Sequence, residues 1–400
     1  MKKRIIVFLS IFCLFSLEAF ADDLFGSVDI HGFISQGFLG SNEHDFYYAD
    51  TSAGTFEFNE LGINFSTELT DNLRLGLQFL ARDLGEIGND EVTIDWAYAD
   101  YLFRNWLGLR VGKVKTPNGM YNQSRDVDFA RTSILLPSSI YNETFRDAQT
   151  ASKGIGIYGT LPGGIDYQFM CGLVDIHLDS GIVKKIDEGQ LGRAGFKTTR
   201  VRVDPGIVGE LFWETPLEGL RIGASGGNYT FVNVLEMTGA PLMLELEVKA
   251  KFVGGAIEYI YNNFVFSAEY QVFDTETYVA GSKVSNPELE EAYVMASYRF
   301  TGWFELGTYF SMHFADRKDR DGKKAAALYQ ASFGTRGLKF REEGWLKDFA
   351  ITARFDINDS WIVKLEGHLL NGLANVDYDA SDPNPDETWV LYAAKLSYNF

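Results

Sequence analysis

Charged residues at alternating positions are the feature of this sequence that could do chemistry. Arg74, Gln78 and Arg82 share one face of an alternating run, and Arg110 lies on the polar face of another. The segment 116–151 adds Arg125, Asp126, Asp128, Arg131, Glu143, Arg146 and Asp147. Cations and anions held across a narrow passage create a transverse field that orients dipolar solutes; on a solvated loop the same residues only keep it hydrated. Bond-making chemistry has no comparable support. His31, His313 and His368 lack a His-Glu-x-x-His pattern, a cysteine pair or a calcium-loop spacing, so no metal is expected. No serine nucleophile elbow and no Walker loop are expected. Gly154, Gly156 and Gly159 lead to Pro162 rather than into a helix, which removes them as a dinucleotide site. The expectation is a non-enzyme without a cofactor.

The first 21 residues set the compartment. Lys2-Lys3-Arg4 precede an apolar run from Ile5 to Leu17, and Ala19-Phe20-Ala21 puts small residues where a signal peptidase reads. This run is shorter than the roughly 20 residues a spanning helix needs, so 1–21 reads as a removed signal peptide and 22–400 as one domain. Cys13 leaves with the signal, Cys171 becomes the only thiol, and no intramolecular disulfide is available. The formal charge of −19 argues against nucleic acid as a partner, because phosphate neutralisation needs a basic face.

With 46% hydrophobic residues in the full sequence, the chain must fold around, or into, something apolar, and the recurring pattern of its mature part has period two. Leu61, Ile63, Phe65, Thr67 and Leu69 alternate with Gly62, Asn64, Ser66 and Glu68; after Thr70-Asp71-Asn72 the pattern resumes with Leu73, Leu75, Leu77 and Phe79. Sixteen such strands are expected, at 28–39, 56–69, 73–84, 91–103, 107–115, 152–160, 164–175, 206–214, 220–231, 248–260, 264–273, 291–300, 303–313, 347–357, 361–370 and 388–400. Short turns alternate with mostly longer connections, as in a transmembrane barrel. In hydrocarbon every backbone N–H and C=O needs a partner within the protein, so strands cross a bilayer only as a closed barrel. A soluble sandwich would alternate too, with its apolar face inward, and periodicity alone does not separate the two. Aromatic residues near strand ends, including Phe56, Phe58, Tyr101, Phe103, Trp106, Trp213, Tyr261, Trp303, Trp361 and Trp389, are expected to form interfacial girdles.

The last strand is the most specific local pattern. Val390, Tyr392, Ala394, Leu396, Tyr398 and Phe400 form one face opposite Lys395, Ser397 and Asn399, and the chain stops on Phe400. This resembles the terminal signal of Gram-negative outer-membrane barrels, in which Leu396, Tyr398 and Phe400 would be read by the barrel-assembly machinery. The whole mature chain resembles the Gram-negative porin superfamily, with the nearest wording at Val111-Gly112-Lys113-Val114-Lys115-Thr116-Pro117-Asn118-Gly119 and at Trp361-Ile362-Val363-Lys364-Leu365-Glu366-Gly367-His368.

The resemblance implies an all-β fold: a closed antiparallel transmembrane barrel of sixteen strands with short periplasmic turns, long external loops and a third external loop folded into the pore. It implies an outer-membrane location, a homotrimer and passive diffusion of small hydrophilic solutes and ions. The charges of 116–151 would then form a constriction, with Arg74, Arg82 and Arg110 on the facing wall. Outer-membrane lipid and lipopolysaccharide are the expected surroundings. A substrate-selective channel of anion, phosphate or carboxylate type, an outer-membrane hydrolase using His313 or His368, and a structural or adhesive barrel are the competing readings.

Overall fold

A computed structural model describes residues 27–379 and 381–400; the signal segment 1–21 lies outside the described residues. The strands close into one antiparallel barrel of sixteen. They are β1 (Val28–Ser41), β2 (Phe58–Thr70), β3 (Leu73–Leu84), β4 (Thr93–Arg104), β5 (Leu107–Lys115), β6 (Ala151–Leu161) and β7 (Ile165–Val174). There follow β8 in two segments (Phe196–Asp204 and Gly206–Glu214), β9 (Leu220–Met237), β10 (Met243–Tyr261), β11 (Phe264–Val279) and β12 (Glu288–Thr301). The last four are β13 (Phe304–Phe314), β14 (Trp345–Asn358), β15 (Trp361–Gly372) and β16 (Thr388–Asn399). Closure comes from β1, which pairs with β2 and with β16 in register Phe33 to Asn399. Two backbone bonds of 3.0 Å between Gly32 and the final residue Phe400 complete the seam. Among the described residues the sixteen-strand ring has no edge strand, so its ladders pair nearly all of its backbone groups.

Side-chain direction settles what periodicity left open. The apolar face points outward: Ile30, Ile155, Val253, Ile351, Leu365 and Tyr392 are exposed, while Gln78, Glu269, Asp348, Lys364 and Lys395 are buried on the inside. That is the inverse of a soluble sandwich and the pattern hydrocarbon requires. Aromatics gather at the turn end, where Tyr101 meets Phe103 edge to face and Trp361 lies tilted against Tyr398. Phe58 and Trp389 are not in a girdle. They are 5% and 0% exposed, because their positions have inward parity, and they belong to an apolar cluster inside the barrel.

All seven short turns fall where the alternation breaks, but the loop end differs from the sequence reading. Residues 231–248 are mostly an extension of β9 and β10, which pair from Glu236 and Met243 downward. Phe196–Asp204 pairs with the same part of β9 above Pro205, so the expected loop 176–205 contains strand. Pro205 lacks the N–H that would keep β8 a single ladder, which hid this segment from a periodicity reading. The rest of that loop is helix α1 (Gly181–Glu188), capped by Ser180 accepting from the Val183 amide, and a short turn of helix.

Candidate functional site

The third connection at the loop end, 116–150, does not stand out in solvent. It runs across the barrel interior, and among its residues only Gln123, Val127 and Ala130 are exposed. Residues 125–126 and 143–146 of the loop form an ion network with β3, β4 and β5. Asp126 accepts from Lys115 and Arg146, and Lys115 also lies 3.1 Å from Asp95. Glu143 accepts from Arg82 at 2.6 Å and Arg125 at 2.9 Å. Arg125 further donates to the carbonyls of Tyr141 and Asn142 at 2.9 and 3.0 Å, which folds the loop back on itself. Burial pushes the carboxyls of Asp126 and Glu143 up, but the adjacent cations outweigh it and hold both below the usual carboxylate range.

A second network fixes the far side. Asp128 is bonded by Ser397 at 2.6 Å and paired with Lys395 at 3.1 Å and Arg131 at 3.0 Å. Lys364 donates to the carbonyls of Asp128 and Ser133 at 2.7 and 3.2 Å, and Arg354 to those of Phe129 and Arg131 at 2.9 and 3.0 Å. Glu366 accepts the amides of Ile134 and Leu135 at 2.7 and 2.8 Å; Glu269 accepts the Met120 amide at 3.1 Å and the Tyr141 hydroxyl. Wall side chains thus supply the hydrogen bonds that an irregular backbone would otherwise lack at this depth. Between the two networks Ile134 and Leu135 enter an apolar cluster with Phe46 and Tyr47 of loop 42–57 and Ala374 and Val376 of loop 373–387.

The structure divides the sequence-derived set. Arg82, Arg125, Asp126, Glu143 and Arg146 share the first network, Asp128 and Arg131 sit in the second, and Asp147 lines a cavity beside Arg82 and Arg146. Arg74 and Arg110 are elsewhere. Arg74 is eight residues along β3 from Arg82, about 26 Å toward the turn end, in register with Asp100. Arg110 pairs with that same Asp100 at 3.0 Å, under the ring of Tyr158. Lys115, Asp95, Lys364 and Lys395 join the site although they were not among the expected constriction residues. Asp95 and Asp100 have opposite parity in an ideal strand; a bulge opposite Gln78 and Phe79 inserts one residue and turns both inward.

Nothing around the histidines forms a nucleophilic site among the described residues. His368 lies between Asp348 at 3.0 Å and Glu366 at 3.1 Å, and His313 lies 3.1 Å from Glu291. The run Gly223-Ala224-Ser225-Gly226-Gly227 does spell Gly-x-Ser-x-Gly, a match the sequence expectation passed over. It lies within the straight ladder of β9, with Ser225 paired to Glu210 and Gly254, and makes no strand-to-helix elbow. No group of three or more metal-ligating side chains occurs among the described residues.

Loop-to-loop contacts narrow the loop end. Lys185 of α1 donates to Asn375 Oδ1, Tyr48 donates its amide to Asp377 at 3.3 Å, and Asp45–Phe46 pairs with Val376–Asp377 as a two-stranded ribbon. Burial, with Glu188 adding to it, pushes Asp377 up to about 6.

No protein-family model and no curated protein matches the chain. Solved structures do. The trimer form of OmpT, an outer-membrane protein of Vibrio cholerae, is 13% identical with a TM-score of 0.56, covering 94% of this chain and 99% of that chain. The anion-selective porin from Comamonas acidovorans is 12% identical with a TM-score of 0.55, covering 94% and 99%. The outer membrane channel DcaP of Acinetobacter baumannii is 12% identical with a TM-score of 0.55, covering 94% and 97%. With its closed sixteen-stranded wall and inverted polarity, this chain has the fold of the outer-membrane porins.

Proposed function

We propose that the protein is an outer-membrane porin, through which small hydrophilic solutes and ions diffuse passively between the loop 116–150 and the wall of β7–β10. The observation that carries this reading is the one-sided fastening of the loop. Its polar bonds to the wall run to β3, β5, β6 and β11–β16, and among the described residues none runs to β7–β10. The unfastened wall presents Ser225, Gly254 and Ala256 on the face that also carries Glu210 and Arg221, while Phe212 and Phe252 lie over Gly223 and Gly227. Among the described residues every charge of the loop except Asp147 is in an ion pair, so a solute meets dipoles more than free charges. That favours general diffusion over capture of one anion. The homotrimer is proposed from the trimer form of the Vibrio cholerae protein, and export from the signal segment.

Single-channel recording in a planar bilayer tests the reading. Stepwise ohmic conductance is expected, reduced by Ser225→Trp with the heat-modifiable mobility of the barrel unchanged. A correctly folded barrel that does not conduct overturns it.

A further inference from the structure

The outer wall carries a second feature near the loop end. The β4–β5 ladder stops at the pair Ala97 and Lys113, although both strands run on, β4 toward Thr93 and β5 toward Lys115. An open groove of about 800 Å³ lies over this divergence, floored by Ala97, Gly112 and Gly154 and flanked by Ile94, Val111 and Ile155. The floor cannot be filled by a larger side chain at Gly112. That residue has φ +138°, and an added Cβ would lie 2.2 Å from the Ala97 carbonyl oxygen.

Cations crown the groove. Lys113 and Lys153 are direct cross-strand partners on the outward face, an arrangement that is destabilising for like charges unless something compensates. Lys113 donates to the carbonyl of Ile94 at 2.7 Å, which the ladder leaves unpaired, and to Asp175 at 3.2 Å. Asp175 also takes Lys153 at 2.8 Å and lies 3.5 Å from His177. One carboxylate therefore faces two lysines and a histidine, in a chain whose formal charge is −19. Lys153 and His177 keep more than half of their side-chain surface exposed.

We infer that this groove binds a phosphorylated lipid of the leaflet at the loop end, with an acyl chain over Ala97, Gly112 and Gly154 and the phosphate on Lys153, Lys113 and His177. The apolar floor and the cationic rim lie in the order of an acyl chain and its headgroup. Phosphate supplies the second anion that the lysine pair lacks. The inference rests on the outer-membrane reading of the fold, not on conduction.

Native mass spectrometry of the folded full chain in non-ionic detergent tests it, with diphosphoryl lipid A and the same lipid stripped of phosphate as probes. The phosphorylated form is expected to bind about tenfold more tightly, the scale of one charge-assisted hydrogen bond. Lys153→Glu should remove that preference while leaving conductance and heat-modifiable mobility unchanged. Ala97→Phe, which fills the floor, should weaken both lipids. Equal binding of the two lipids to the unmodified protein, or an unchanged preference in Lys153→Glu, overturns the site. So does a lipid-free oligomer that Ala97→Phe dissociates, because a second copy would then occupy the groove. A barrel that binds the lipid but does not conduct would sink the channel and leave this site standing.

Discussion

On the β11–β16 side, the inner wall meets the crossing loop with Glu269, Glu305, Arg354, Lys364, Glu366 and Lys395, each bonded to it. On the β7–β10 side Phe231 shares an apolar cluster with Phe145 and Ala148 of the loop, and no polar bond to the loop occurs among the described residues. The strands of both sides obey the same alternation and the same closure rule, so the barrel does not require this asymmetry. It follows from what the inward positions carry. Long charged side chains on one side reach the loop and remove its backbone groups from water; on the other side the inward residues pack among themselves or apolarly, and none makes a polar bond to the loop among the described residues. The loop is thus anchored at both ends of a chord, and the remaining arc of wall is available to solute.

Removing the anchor should break the contrast most severely. Asp126→Ala leaves Lys115 and Arg146 buried without their shared carboxylate, and breaking a buried pair in this way costs about 3–5 kcal/mol. Chemical unfolding followed by loss of heat-modifiable mobility should show that loss, whereas Ser225→Trp should lower conductance with a smaller stability change. An Asp126→Ala barrel as stable as the unmodified one would mean that the loop is not held by this network.

Asp128→Asn keeps the size of the side chain while removing a charge from Lys395 and Arg131. The expected cost is about 1.5–3 kcal/mol, the range for hydrogen bonds to charged groups. The same unfolding assay should place it below Asp126→Ala; the reverse order would make the β16 side the principal anchor.

Acid should tighten the loop end. Asp377 lies at about 6 in the folded loop against an ordinary 3.8, so the folded arrangement binds the proton more strongly than an open one. Its contribution is fully present below about pH 4 and is lost as pH rises through about 6. Hydrogen exchange of the amides at 375–378, corrected for intrinsic pH dependence, should accelerate across that window, and Asp377→Asn should flatten the change. The smallest effect belongs to the exposed pair of Lys184 and Glu86, 2.6 Å apart. Lys184→Ala should change stability by about 0–1 kcal/mol, the range for surface pairs.

Much of the barrel was legible in the alternation because every strand reports its own two faces independently of its neighbours. The exceptions are local. A bulge at Asp95 reverses parity, Pro205 interrupts β8, and inward aromatics such as Phe58 and Trp389 look like girdle residues when only proximity to a strand end is considered. The site was less legible. Charges on 116–151 were visible, but Lys364 and Lys395 lie more than 200 residues from Asp128, and no spacing rule connects them.

By itself the sequence determined the number of strands, their turns and the class of face each residue occupies, since period-two patterning is written residue by residue. Which face looks outward, which carboxylate meets which cation, and which arc of wall is left free of the loop were decided only by closure of the barrel. Closure sets the register between strands distant in the chain, and register alone brings those side chains within hydrogen-bonding distance.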